Sequence, residues 1–320
     1  MQENMTQETT PQGPGLTTDV YGPTPARPSG ANTVVASLQE KEQSTCQTCQ
    51  TPAVTNGQQN PNFVYAIGSI EPRFPMPSIE KECLQAVSRM NGTSGLSDQQ
   101  VLKKVLSHPS NRYLARQMCW VFTVEGLETY LLRPRDATDL EQLVEAIRPE
   151  PDNNDIDVVI GYRGSLAPPE ACNGLILPMV MIEQVYSFDM KSLLKSMPTP
   201  EKMSPGQFSP IAQELYKQII HMADNAGATD EHRAMNYLAV RYDAIYTVCA
   251  EQYRNNYSLN SVQVRPSRLS AARKVMDAIF TFTHRETTVT QKWFTRVDVT
   301  EEFPYLVSPL SPYYVYEQQV

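Results

Sequence analysis

The chain has no long hydrophobic run, only four histidines and fewer basic than acidic residues, and each shortage closes off a class of function. No stretch approaches the roughly 20 apolar residues that a spanning helix needs. The most apolar run, Gly174 to Val185, is short and carries Pro178 and Glu183. The opening residues offer neither a basic nor an apolar signal region, so the expectation is a cytoplasmic protein with no membrane partner. A formal charge of −8 disfavours nucleic acid as a general partner, because a phosphate backbone would be repelled. Six cysteines in a long chain without a secretory signal should remain thiols or bind metal.

What is present divides at about residue 61. Residues 1–61 are rich in Gln, Thr, Pro, Gly and Ser and cannot bury enough apolar surface to offset backbone ordering, which predicts a disordered tail. Residues 62–320 read as one domain. Phe63 to Ile70 is β-branched and aromatic and predicts a strand. Ile79, Cys83, Val87 and Met90 recur at helical spacing behind a Ser78 cap. Ser97 with Gln100 and Thr138 with Glu141 have the spacing of capping boxes for two further helices. Cys119 to Leu132 predicts a hairpin turning at Glu125-Gly126. Ile156 to Ile160 and Leu175 to Phe188 predict strands.

The middle of the chain is helical, with one helix opening at Ser209-Pro210 and a second running from Asp230 to Tyr253. Strands return around residues 275–282 and 289–299. Strands flanking a central helical block, joined more often by hairpins than by crossovers, predict an α+β fold with a mainly antiparallel sheet.

Several stretches of this region occur together: Phe63-Val-Tyr-Ala-Ile-Gly-Ser-Ile-Glu-Pro-Arg-Phe-Pro75, Asn111-Arg-Tyr-Leu-Ala-Arg-Gln-Met-Cys-Trp120, Val124-Glu-Gly-Leu-Glu-Thr-Tyr130, Ala223-Asp-Asn-Ala-Gly-Ala-Thr-Asp-Glu-His-Arg-Ala234, Asn236-Tyr-Leu-Ala-Val-Arg-Tyr242 and Asp298-Val-Thr-Glu-Glu-Phe-Pro304. They resemble, in order, the C-terminal domain of unknown function of the cyanobactin maturation proteases, the PatA/PatG family. The resemblance implies an accessory role in maturing ribosomally made, modified peptides, with a precursor peptide or a partner enzyme as ligand and a homodimer as one possible assembly. It implies no peptide-bond chemistry, because the subtilisin-like domain of those proteases is not matched. Gly92-Thr-Ser94 resembles the start of a subtilisin nucleophile motif but lacks its continuation, and no protease triad is visible.

Four groups of residues are candidates for a site. Cys46 and Cys49 have half of a zinc-ligand spacing, set against the plainer reading of an incidental pair in a tail. His221, Asp224, Asp230 and His232 form the densest polar cluster and suit a metal or acid–base chemistry, set against helix capping at a corner. Arg265, Arg268, Arg273 and Lys274 form a basic run suited to an acidic peptide or other anion, set against a solvated edge. Glu170, Cys172 and Asn173 lie in a Pro/Gly loop of the kind that lines sites. Three readings follow: an accessory domain recruiting a peptide or partner, a metal-dependent enzyme using the histidine–aspartate cluster, or a scaffold outside peptide biosynthesis.

Overall fold

The computed structural model describes residues 62–314, apart from positions 202, 223, 270 and 271. The predicted tail, with Cys46 and Cys49, lies outside the described residues. Within them the chain forms eight α-helices and two mostly antiparallel sheets, the α+β class expected.

The first sheet is a closed barrel in the order β1-β2-β3-β5-β4. Its strands are β1 (Phe63–Arg73), β2 (Cys119–Val124), β3 (Leu127–Arg133), β4 (Asp155–Leu166) and β5 (Pro178–Asp189). All pairings are antiparallel except β3 with β5. The β2–β3 hairpin turns at Glu125 and Gly126, with φ of 51° and 78°, the left-handed pair that a tight two-residue hairpin demands. Closure brings backbones together at Gly68 and Gly161, where a Cβ would lie 2.0 Å from the Thr123 carbonyl oxygen and 2.1 Å from that of Met181.

Strand alternation splits the barrel residues between two cores. Val64, Ala66, Trp120, Phe122, Leu132, Val159 and Val180 share one apolar cluster with α1 (Pro77–Arg89), α2 (Asp98–Ser107), α3 (Arg112–Gln117) and α4 (Ala137–Ala146). Tyr65, Ile67, Val158 and Ile160 belong to the other cluster. That cluster runs through α5 (Met190–Ser196), α6 (Pro205–Ile220), α7 (Asp230–Arg241) and α8 (Ala244–Arg254) to Met276, Phe280 and Val297 of the second sheet. The second sheet is β6 (Tyr257–Pro266), β7 (Val275–His284), β8 (Thr290–Asp298) and β9 (Tyr305–Pro312), in that order. Its edge strand β9 carries Pro309 and Pro312 on exposed positions.

Local chemistry moves several predicted boundaries. Asp136, not Thr138, caps α4 by accepting from the Thr138 and Asp139 amides. Helix α6 opens at Ser204 and Pro205, so Pro210 lies inside it. The stretch expected as one helix to Tyr253 breaks at Tyr242, whose φ of −129° and ψ of 91° are extended. The expectation that the cysteines stay thiols or bind metal is corrected for Cys119 and Cys172, which form a disulfide with Cα atoms 5.7 Å apart. The β4–β5 connection folds back over β2 and joins positions 53 apart in sequence, a juxtaposition no local spacing encodes.

Candidate functional site: a basic and aromatic sheet face

The strand register turns one face of the second sheet toward the helical block and leaves the other outside. Opposite Asp277 of β7 stand Arg265 of β6 and Arg296 of β8; opposite Ile279 stand Gln263 and Phe294. Even positions of β7, including Met276 and Phe280, enter the core, so these odd ones and their partners face outward. On that face cations and rings interleave. Arg296 Nε donates to Asp277 Oδ1 at 3.0 Å, and its guanidinium lies 4.8 Å from the Phe294 ring. Phe294 meets Tyr313 edge-on at 5.2 Å. Arg265 donates to the Tyr313 hydroxyl at 2.6 Å and stands 5.8 Å from that ring.

Arg268 and Lys292 complete a groove of about 490 Å³. Both are exposed, and neither makes an ion pair among the described residues. Four cations therefore line the groove with one carboxylate, Asp277, and that carboxylate is already engaged by Arg296. A local excess of positive charge on a chain of net −8 concentrates the field at this face and favours anionic ligands there.

Of the predicted basic run, the structure brings Arg265 and Arg268 into the groove and sends the other two elsewhere. Arg273 donates to the Tyr305 hydroxyl at 2.7 Å and sits 3.7 Å from Asp298. Lys274 pairs with Asp230 at 3.2 Å. Sequence reasoning passed over Lys292, Phe294, Arg296 and Tyr313. The signal in the sequence is the alternation of Lys292, Phe294 and Arg296 with Trp293 and Val297 within the strand expected at residues 289–299.

The histidine–aspartate residues do not converge. Helix α6 ends at Ile220, so His221 and Asp224 share no helical face. His221 Nδ1 instead pairs with Glu125 at the β2–β3 hairpin, and Asp224 takes a left-handed φ of 55°. Asp230 pairs with Arg233 and Lys274. The His232 amide donates to the Thr229 side chain that caps α7. Among the described residues no group of three or more His, Cys, Asp or Glu side chains is placed to hold a metal.

This corner is instead stapled to β1. Buried Asn225 and Asn236 exchange side-chain hydrogen bonds at 2.8 and 3.1 Å. Asn236 Nδ2 also donates to the Tyr65 carbonyl at 2.8 Å, and the Tyr65 amide donates to the Gly227 carbonyl at 2.9 Å.

A larger cleft of about 750 Å³ opens at one end of the barrel, between β1, the β2–β3 hairpin, residues 151–157 and the end of α6. Its deepest carboxylate is Asp157, which accepts from the Ile70 amide at 2.8 Å, the Ser187 hydroxyl at 2.6 Å and Arg148 at 3.2 Å. Burial pushes its pKa up, against the pull of those donors. Asp157 thus spends its lone pairs tying β1, β5 and Arg148 together, and Glu125 at the rim is taken by His221.

In the Pro/Gly loop, Glu170 is exposed and Asn173 has a φ of 47°. Cys172 is not available as a nucleophile, since its sulfur is bonded to Cys119.

Comparison with known proteins places these features. The PatG C-terminal family model matches residues 202–313, which contain the whole groove except Tyr314. A solved structure described as "PatG Domain of Unknown Function" aligns with a TM-score of 0.63 at 18% identity, covering 79% of this chain and 98% of that one. No curated protein matches the chain. The family match over residues 202–313 and the shared fold over most of the chain make this region similar to the PatG C-terminal domain.

Proposed function

We infer that the domain is a non-catalytic accessory module in the maturation of ribosomally made, modified peptides, recruiting a precursor peptide or partner enzyme by an acidic segment laid on the second sheet. One observation carries this reading. Arg268 and Lys292 stand exposed and without an ion pair among the described residues beside a Tyr313–Phe294 shelf, in a groove with four cations and one engaged carboxylate. Carboxylate side chains would pair with the cations, and neighbouring apolar side chains would lie on the rings. The PatG likeness supports the peptide-maturation context.

The test is fluorescence anisotropy with a labelled Asp/Glu-rich decapeptide, and with a lysine-rich decapeptide as control. The acidic peptide should bind, and raising salt from about 50 to about 300 mM should weaken it through screening. Reversing both free cations, as Arg268→Glu with Lys292→Glu, should weaken binding by about tenfold or more, since each exposed pair contributes about 0.2–1 kcal/mol and reversal adds repulsion. Binding that is indifferent to the reversal would sink the proposal. So would a single-stranded oligonucleotide that binds the groove more tightly than the peptide.

A further inference from the structure

We propose that residues 167–177, the strap joining β4 to β5, form a redox latch that the Cys119–Cys172 disulfide holds shut over the β2–β3 face of the barrel. The strap is built as a separate body. Ala167 donates to the Leu177 carbonyl at its base, Ala171 to Pro168, Gly174 to Pro169 and Leu175 to Cys172, so these backbone hydrogen bonds close on the strap itself. What joins it to the strands beneath is the disulfide, a small apolar cluster and a contact of Cys119 Sγ with the Ala171 carbonyl at 3.5 Å.

Under the strap lies a row across three strands. Val121 pairs in register with Leu131, and Leu131 with Met179. Val121 and Leu131 are fully buried, and Cys119 and Cys172 nearly so. Partly open five-stranded Greek-key barrels that bind oligonucleotides or oligosaccharides use the face of their second and third strands together with the loops between the first and second and between the fourth and fifth. Here the loop between the fourth and fifth is bolted across that face.

Opening requires a dithiol reductant. The reductant gives up two electrons and two protons and leaves as its own disulfide. The Cys119–Cys172 bond breaks, and each sulfur becomes a thiol. The strap then depends on its small apolar contact and the weak Cys119 Sγ–Ala171 carbonyl contact, and such weakly held segments open locally without unfolding the rest.

The experiment uses the full chain and a glutamate-specific protease, following by mass spectrometry the cut after Glu170, the glutamate of the strap. The oxidised protein should be cut slowly there. Reduction, verified by the appearance of two new thiols, should speed that cut by about tenfold or more while cuts outside the strap keep their rates, because cleavage follows the open population. Cys172→Ala should be cut fast with or without reductant, at unchanged far-ultraviolet dichroism. If that variant does not fold, reoxidising the reduced native chain must restore slow cleavage. An unchanged Glu170 rate after verified reduction overturns the latch. So does acceleration at every site alike, which would make the disulfide a global staple.

Discussion

The most exacting prediction concerns Asn236, which heads the Asn236–Tyr242 stretch in sequence and is a buried joint in the fold. Its amide donates to Asn225 and to the Tyr65 carbonyl and accepts from Asn225. Asn236→Ala deletes all three bonds. It leaves the Tyr65 carbonyl without this donor and Asn225 with one long bond, 3.4 Å to the Ile219 carbonyl. A buried polar group stripped of its partner costs about 1–3 kcal/mol. Two such groups and a small void give a loss of about 4 kcal/mol. In a domain of this size that lowers Tm by about 8–16 °C.

The assay is urea unfolding followed by the fluorescence of Trp120, which is buried in the barrel-side core. Asn225→Ala should be milder. The double variant should cost less than the sum of the singles by about 1 kcal/mol or more, because removing both partners leaves fewer orphans. If Asn236→Ala costs under about 1 kcal/mol, or if the two singles simply add, the joint does not couple the corner to β1 and the argument fails.

Two other outcomes are expected. Burial disfavours the charge on Asp298, but the Thr300 hydroxyl and amide, the Tyr305 hydroxyl and Arg273 outweigh it and hold the carboxyl below the usual range. A depressed carboxyl binds fewer protons folded than unfolded. Its contribution is therefore present above the ordinary aspartate value of about 3.9 and lost as pH falls through the folded one. Urea midpoints measured down the acid limb should fall less steeply for Asp298→Asn, and an identical slope would refute the assignment. Burial pushes the Cys249 thiol up to about 12, so a thiolate-seeking alkylating agent at about pH 8 should leave Cys249 unlabelled in the native protein and label it in denaturant. Native labelling would contradict its placement in the core.

How much of this was legible depended on range. The hairpin at Glu125-Gly126 and the Ser97–Gln100 capping box are local chemistry, and both stand in the structure. The α+β class followed from the order of periodic segments. The parallel β3–β5 pairing that closes the barrel was not legible, because it joins strands separated by a helix and another strand. Strand β6 was missed because a bulge between Leu259 and Ser261 puts its apolar alternation out of phase, with Tyr257 and Leu259 before it and Val262 and Val264 after, and β9 because its two prolines argue against a strand until it is seen to be an edge. The same limit governs the site. Arg265 and Arg268 were visible as neighbours in sequence, whereas Lys292 and Arg296 join them through strand pairing. The disulfide was invisible for the same reason, and the inference from an absent signal region pointed the wrong way.

The two sheets also differ in how they can fail. A closed barrel has no free edge, and its hydrogen-bonding groups are consumed around the ring. Among the described residues the second sheet ends in two edge strands, β6 and β9, and an unblocked edge invites a strand from another molecule and, at high concentration, aggregation. Pro309 and Pro312 cannot donate from β9, and the Leu310 amide is taken by the Tyr242 hydroxyl at 2.9 Å, which makes this edge a poor template. Replacing either with a β-branched residue would lengthen the strand on paper while converting a protected border into an adhesive one. The same prolines that hid β9 from sequence reasoning are thus what makes β9 a weak template for a fifth strand.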